Sequence, residues 1–177
     1  MGGLVRYLGA SMLTLWRCAA FVNVFIYAHT VLAIGQSTCV TFDAAPSSFP
    51  IVTSGQGTPI LLSADDWPGV QRAAFDFASD IQKVTGVEPS LSNVTASSIP
   101  TLSSAIIIGT LGNSSLIQQV VQHANLDVSA VEGQWESFMA KEVKDPLPGI
   151  SSAYVIIGAD KRGSIYAMYD HSEQFGE

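Results

Sequence analysis

The stretch Val155-Ile-Ile-Gly-Ala-Asp-Lys-Arg-Gly-Ser-Ile-Tyr-Ala-Met-Tyr169 decides the fold. It opens on β-branched residues, crosses a charged turn flanked by Gly158 and Gly163, and continues with Ile165, Met168 and Tyr169 at helical spacing. Strand, polar turn and helix in that order make one unit of an α/β layer. The same grammar recurs upstream, where Ala105-Ile-Ile-Ile-Gly109 leads through Thr110-Leu-Gly-Asn-Ser114 to Leu116, Ile117, Val120 and Val121. The unbroken apolar run over residues 105–109 is that of a central strand buried on both faces.

A turn of this kind either cradles an anion on free backbone N–H groups or reverses the chain. Gly158 and Gly163 are separated by four residues, as in a phosphate loop, but Ser164-Ile165 stands where a Lys-Ser/Thr pair should follow, and no G-x-G-x-x-G occurs. The turn is read as structural, with Asp160 in a local ion pair beside Lys161 and Arg162 and in a turn hydrogen bond.

Working outward, Ile60-Leu-Leu62 reads as a short strand, and Asp65-Asp-Trp-Pro68 announces a helix, because proline suits the first turn and acidic side chains complement the dipole there. The two aspartates are expected to cap it. Val70, Ala73, Ala74, Phe77, Ile81 and Val84 form one apolar stripe on a helix over about residues 68–85, stopped by Gly86. A short strand is expected near residues 88–91. Trp135 to Val143 roughly alternates apolar and polar side chains, and Asp145-Pro-Leu-Pro-Gly149 forces a turn into Ala153, so this part is a β-hairpin. The fold class is therefore α/β: a mixed sheet of four to six strands covered by about three helices.

The chain begins with Arg6 and Arg17, then an apolar run from Cys18 to Ala33, with no acidic residue before Asp43. That is a secretory leader pattern, expected to be cleaved after residue 33; an uncleaved anchor is the alternative. Residues 34–58, rich in Ser, Thr, Pro and Gly, read as a leading arm with one edge strand, and residues 59–177 as a single domain. Beyond residue 33 six basic residues face fifteen acidic ones, a net charge of −9. Such a surface excludes nucleic acid as a partner. Secretion to the extracellular space and no stable membrane association after processing are the expectations.

Removal of Cys18 with the leader leaves Cys39 without an intrachain disulfide partner, as a buried or frayed thiol. His123 and His171 fall on different helices with no metal-ligand spacing, so no metal and no cofactor is expected. Asn93-Val-Thr95 and Asn113-Ser-Ser115 match the N-glycosylation pattern. Glycosidase chemistry needs two carboxyl groups held across a bond, and Asp65, Asp66 and Asp160 do not supply them; no catalytic residue is assigned. Trp67 and Trp135 fit core or interface positions.

Five blocks in order carry a resemblance. They are Asp65-Asp-Trp-Pro-Gly-Val-Gln-Arg-Ala-Ala74 with Asp80-Ile-Gln-Lys-Val-Thr-Gly86; Ile107-Ile-Gly-Thr-Leu-Gly112; Glu132-Gly-Gln-Trp-Glu-Ser-Phe138; Asp145-Pro-Leu-Pro-Gly149; and Asp160-Lys-Arg-Gly-Ser-Ile-Tyr166 with Tyr169-Asp170 and Ser172-Glu-Gln174. Together they resemble the amino-terminal domain of glycoside hydrolase family 115, the xylan α-1,2-glucuronidases. The resemblance spans about residues 60–176 and implies a small α/β domain preceding a (β/α)8 barrel that carries the catalytic acids. The chain ends where its last helix would hand over to that barrel, so the resemblance implies a non-catalytic piece of a secreted hydrolase that removes (4-O-methyl)glucuronic acid from xylan. Its implied partner is the carboxy-terminal catalytic barrel, and glucuronoxylan through it. Arg162 is the one candidate substrate ligand, since a guanidinium matches a uronate; docking on the barrel is the reading preferred for it. A stand-alone carbohydrate-binding or adhesion module, and a small enzyme with its own pocket, are the other functional classes.

Overall fold

The computed structural model describes residues 38–43, 45, 48–95 and 97–176. The leader reading falls on residues 1–33, outside the described residues. Among those described, no helix is long and apolar enough to cross a membrane.

The central sheet has five strands: β3 (Ile60–Ser63), β4 (Leu91–Val94), β5 (Leu102–Thr110), β6 (Phe138–Leu147) and β7 (Ile150–Gly158), in the order β4-β3-β5-β7-β6. The three inner pairings are parallel, and β6 returns antiparallel to β7 as the expected hairpin. Among the described residues three helices cover the sheet, α1 (Pro68–Thr85) and α2 (Ser115–His123) between strands and α3 (Lys161–Phe175) after the last one. The mixed α/β sheet covered by three helices is thus the fold read from the sequence.

The period of two along each strand divides the core into two layers. Ile60, Leu62, Ile106, Ile108 and Ile156 meet Val70, Ala73, Ala74, Phe77 and Ile81 of α1 and Ala167, Met168 and Phe175 of α3. On the opposite face Leu61, Ala105, Ile107, Val155 and Ile157 meet Leu116, Ile117 and Val120 of α2. Three consecutive isoleucines in β5 therefore serve two cores, which is why that strand reads as a continuous apolar run.

Two details differ from the sequence reading. Strand β4 starts at Leu91 rather than near residue 88. Pro89, which cannot donate to a ladder, instead packs so closely on the arm that a Cβ on Gly57 would lie 2.8 Å from its Cα. The described residues of the arm contribute no edge strand to the main sheet; they include a two-stranded hairpin, β1 (Val52–Thr53) with β2 (Gln56–Gly57), turning through Ser54 and Gly55 at positive φ.

Candidate functional site

In an open parallel sheet, ligands settle at the carboxyl ends of the strands, where successive connections leave on opposite faces. Here that point lies between β3 and β5, because α1 follows β3 on one face and α2 follows β5 on the other. The chain fills this crevice with its own carboxylates. Asp66, 3% exposed, accepts hydrogen bonds from Trp67 N (2.7 Å), Thr110 N (2.8 Å) and Asn113 Nδ2 (3.3 Å). Beside it, Asp65 accepts from Ser115 N (3.2 Å) at the start of α2 and from the Ser63 hydroxyl, which also lies 2.9 Å from Ser115 Oγ. The Ser63 hydrogen bond, and after it those of Ser115, hold the Asp65 carboxyl below its ordinary range.

The two aspartates do not cap the helix they precede. The residue at the α1 cap is Trp67, with no side-chain hydrogen bond to the helix. Asp65 instead reaches the first turn of α2, where Ser114 also caps by accepting from Ile117 N at 3.2 Å. The sequence signal was correct in kind, an acid at a helix start, but the helix served lies 50 residues away. Two anionic side chains thus occupy the place where an anionic ligand would bind.

The second cluster is the turn quoted at the outset. Asp160 caps α3, accepting from Gly163 N (2.8 Å) with one oxygen and from Glu136 N (2.9 Å) with the other. Those backbone donors, Glu136 first, keep its carboxyl below the ordinary range. The turn hydrogen bond is as expected. The ion pair is not: Arg162 pairs with Glu136, at 2.8 Å, rather than with Asp160. Both oxygens of Asp160 are already engaged by backbone donors. The Arg162 guanidinium also donates to Tyr166 Oη at 2.7 Å and stands 5.7 Å and 5.6 Å from the ring centres of Trp135 and Tyr166. The Tyr166 hydrogen bond, followed by the Glu136 charge, raises its affinity for the proton. Trp135 is 78% exposed, so it lies outside the core, on a surface platform of aromatic rings and one cation. Trp67 is 46% exposed.

The paired glycines of the turn are explained by contact. A Cβ on Gly158 would lie 2.0 Å from Ser164 N, and one on Gly163 2.1 Å from Ser137 O. They allow β7, α3 and the segment before β6 to approach each other, and no anion is needed to account for them.

Elsewhere, a cavity of about 610 Å³ lies beneath the arm, bordered by Phe49, Ile51, Ile81 and Phe175, with Tyr154 and His171 in its wall. His171 Nδ1 donates to Ala167 O (2.6 Å), which fixes Nε2 as the acceptor of the Tyr154 hydroxyl (2.9 Å). Burial lowers the His171 pKa and pushes Tyr154 up to about 12. His123 is exposed at the end of α2, on the opposite face of the sheet, and Cys39 is an exposed free thiol. No metal-binding group of three or more His, Cys, Asp or Glu occurs among the described residues.

Fold and site together define a class: a three-layer mixed α/β domain whose ligand crevice is closed by its own side chains. The solved structures make the likeness particular. The chain matches a family GH115 4-O-methyl-α-glucuronidase, BtGH115A, with specificity for decorated arabinogalactans, at a TM-score of 0.54 and 25% identity. The match covers 71% of this chain and 14% of that one, so the chain spans about a seventh of the enzyme it resembles. The resemblance read from the five sequence blocks is therefore present in three dimensions too. No family model matches the chain. No curated protein does either.

Proposed function

We propose that this chain is the amino-terminal, non-catalytic domain of a secreted glycoside hydrolase resembling xylan α-1,2-glucuronidase, exported by residues 1–33 and seated through residues 59–177 on a (β/α)8 catalytic barrel. The observation that carries this reading is the match to one small part of a GH115 enzyme. Closure of the crevice by Asp65 and Asp66 supports a non-catalytic role, since both carboxylates are already engaged by donors of the domain itself. The exposed group of Trp135, Arg162 and Tyr166 supports docking, because Trp, Arg and Tyr are the side chains that anchor protein interfaces.

The test is hydrolysis. Purified chain is expected to release no glucuronic acid or its 4-O-methyl ether from glucuronoxylan or from decorated arabinogalactan. Heat-sensitive release by the pure chain overturns the reading. A stand-alone carbohydrate-binding module is favoured by one observation, the exposed Trp135 ring, since flat rings stack on sugars. That alternative predicts saturable retention of the chain on immobilised glucuronoxylan, lost in Trp135→Ala.

A further inference from the structure

We infer that of the two Asn-x-Ser/Thr sites only Asn93 carries an N-linked glycan, and that Asn113-Ser114-Ser115 serves instead to lock the closed crevice. The inference rests on the secretory reading of residues 1–33, and the experiment below separates the two.

The chemistry of attachment decides between the sites. An oligosaccharide diphospholipid is the donor: the bond from the sugar's C1 to the diphosphate oxygen breaks, the diphospholipid leaves with that electron pair, and a bond forms from C1 to the Asn Nδ2. The nitrogen gives up one of its two protons to a base of the transferase and keeps the other. A glycosylated Asn can therefore make one Nδ2–H donation, not two.

At Asn93 one is all the fold asks. The residue is exposed on the outermost strand β4, and among the described residues its Nδ2 donates to Gln71 Oε1 alone, at 3.2 Å. The hydroxyl two residues on, at Thr95, lies in an exposed loop whose contacts are with Ser97 and Ser98. At Asn113 both protons are committed. Its Nδ2 donates to Asp65 O and to Asp66 Oδ1, each at 3.3 Å, and Asp66 is buried. The rest of that tripeptide is engaged as well: buried Ser114 caps α2, and Ser115 holds Ser63 and Asp65. A sugar at Asn113 would unpair a donation to a buried carboxylate and set a bulky group against the crevice. A sugar at Asn93 would stand beside the open edge of β4, where unpaired backbone groups otherwise invite another strand.

The full chain is expressed in a eukaryotic secretory host, and occupancy is read by peptide mass before and after enzymatic deglycosylation in heavy-oxygen water. Asn93 is expected to be occupied and Asn113 bare. N93Q, and independently T95A, should abolish the glycan, whereas N113Q should leave it. A glycan on Asn113 of secreted, cooperatively melting protein overturns the assignment, as does a bare Asn93 in such protein. If the chain is not exported by its own leader, the same full chain is placed behind an added export leader. A glycan on Asn93 there upholds the site while the leader reading fails; its absence overturns the site. Secreted N93Q is sugar-free, so adding N113Q to it reads the lock alone. The thermal midpoint should fall by about 3–6 °C, and an unchanged midpoint overturns the lock.

Discussion

Asp66 is the residue on which the crevice turns. It is buried and satisfies two backbone donors and one amide at once, so removing it strands three donors rather than one. Asp66→Ala should destabilise the domain by about 2–4 kcal/mol, read by urea denaturation with the m-value unchanged. Asp65→Ala should cost less, because its partners at the start of α2 are more open to water. Arg162→Ala should leave the melting of the isolated chain nearly unchanged, since the Arg162 side chain is half exposed. In a longer enzyme that buries this platform the same change should lower the thermal midpoint. If it leaves that midpoint alone and weakens affinity for glucuronic acid, Arg162 is a substrate ligand instead. At this scale the sequence was least informative. It marked Asp65, Asp66, Asp160 and Arg162 as worth inspecting, and the turn hydrogen bond of Asp160 stands, yet the helix cap assigned to Asp65 and Asp66 and the ion pair assigned to Asp160 and Arg162 were displaced by partners brought in by the fold. Glu136 lies 26 positions from Arg162, and Ser115 lies 50 from Asp65. No periodicity encodes such pairs, because they form between loops at one end of the strands.

The elements were far more legible, for a physical reason. Periodicity reports burial, and the longer elements are those with most to bury. The stripe of α1, the isoleucine run of β5 and the hairpin of β6 and β7 stand where they were read. Of the shorter pieces β3 stands where it was read, but β4 and the strand of the arm were misplaced. Two-residue strands such as β1 and β2 carry no pattern, and β4 is held at its start by the packing of Pro89 on Gly57 rather than by alternation. The junction of β7 with α3 offers the sharpest test at this scale. Gly158→Ala places a Cβ against the Ser164 backbone, and Gly163→Ala places one against the Ser137 carbonyl. Backbone cannot yield as a side-chain tip does, so each should cost about 2–3 kcal/mol. An anion loop would predict lost phosphate binding with stability intact, and guanidinium melts of both variants with and without phosphate distinguish the two.

For the whole molecule, pH is the informative variable. Burial keeps His171 neutral, wedged between the Ala167 carbonyl and the Tyr154 hydroxyl. Its folded pKa lies below the ordinary value of 6.5, so its contribution is complete above that pH and is lost as the pH falls below it. Asp65 and Asp160, likewise lowered, lose theirs only below the ordinary carboxyl value of 3.8. Stability should therefore decline in two stages on acidification. The first is limited to about 1.4 kcal/mol per pH unit for a single proton and should be absent in His171→Gln. Thermal midpoints between pH 7.5 and pH 3 would show both, and a single late transition would mean that His171 titrates freely.

The closed crevice also implies that this domain travels with an imitation ligand built into its chain. What a carboxylate closes, a free carboxylate can close again. In Asp66→Ala the backbone donors of Trp67 and Thr110 and the Asn113 amide would be left facing a gap about the size of the lost group. Formate should then restore the melting temperature of that variant in proportion to its concentration, and chloride at equal ionic strength should not. The wild-type domain, its crevice already taken, should respond to neither. Chemical rescue of this kind would turn a structural plug into a small-anion receptor by a single truncation.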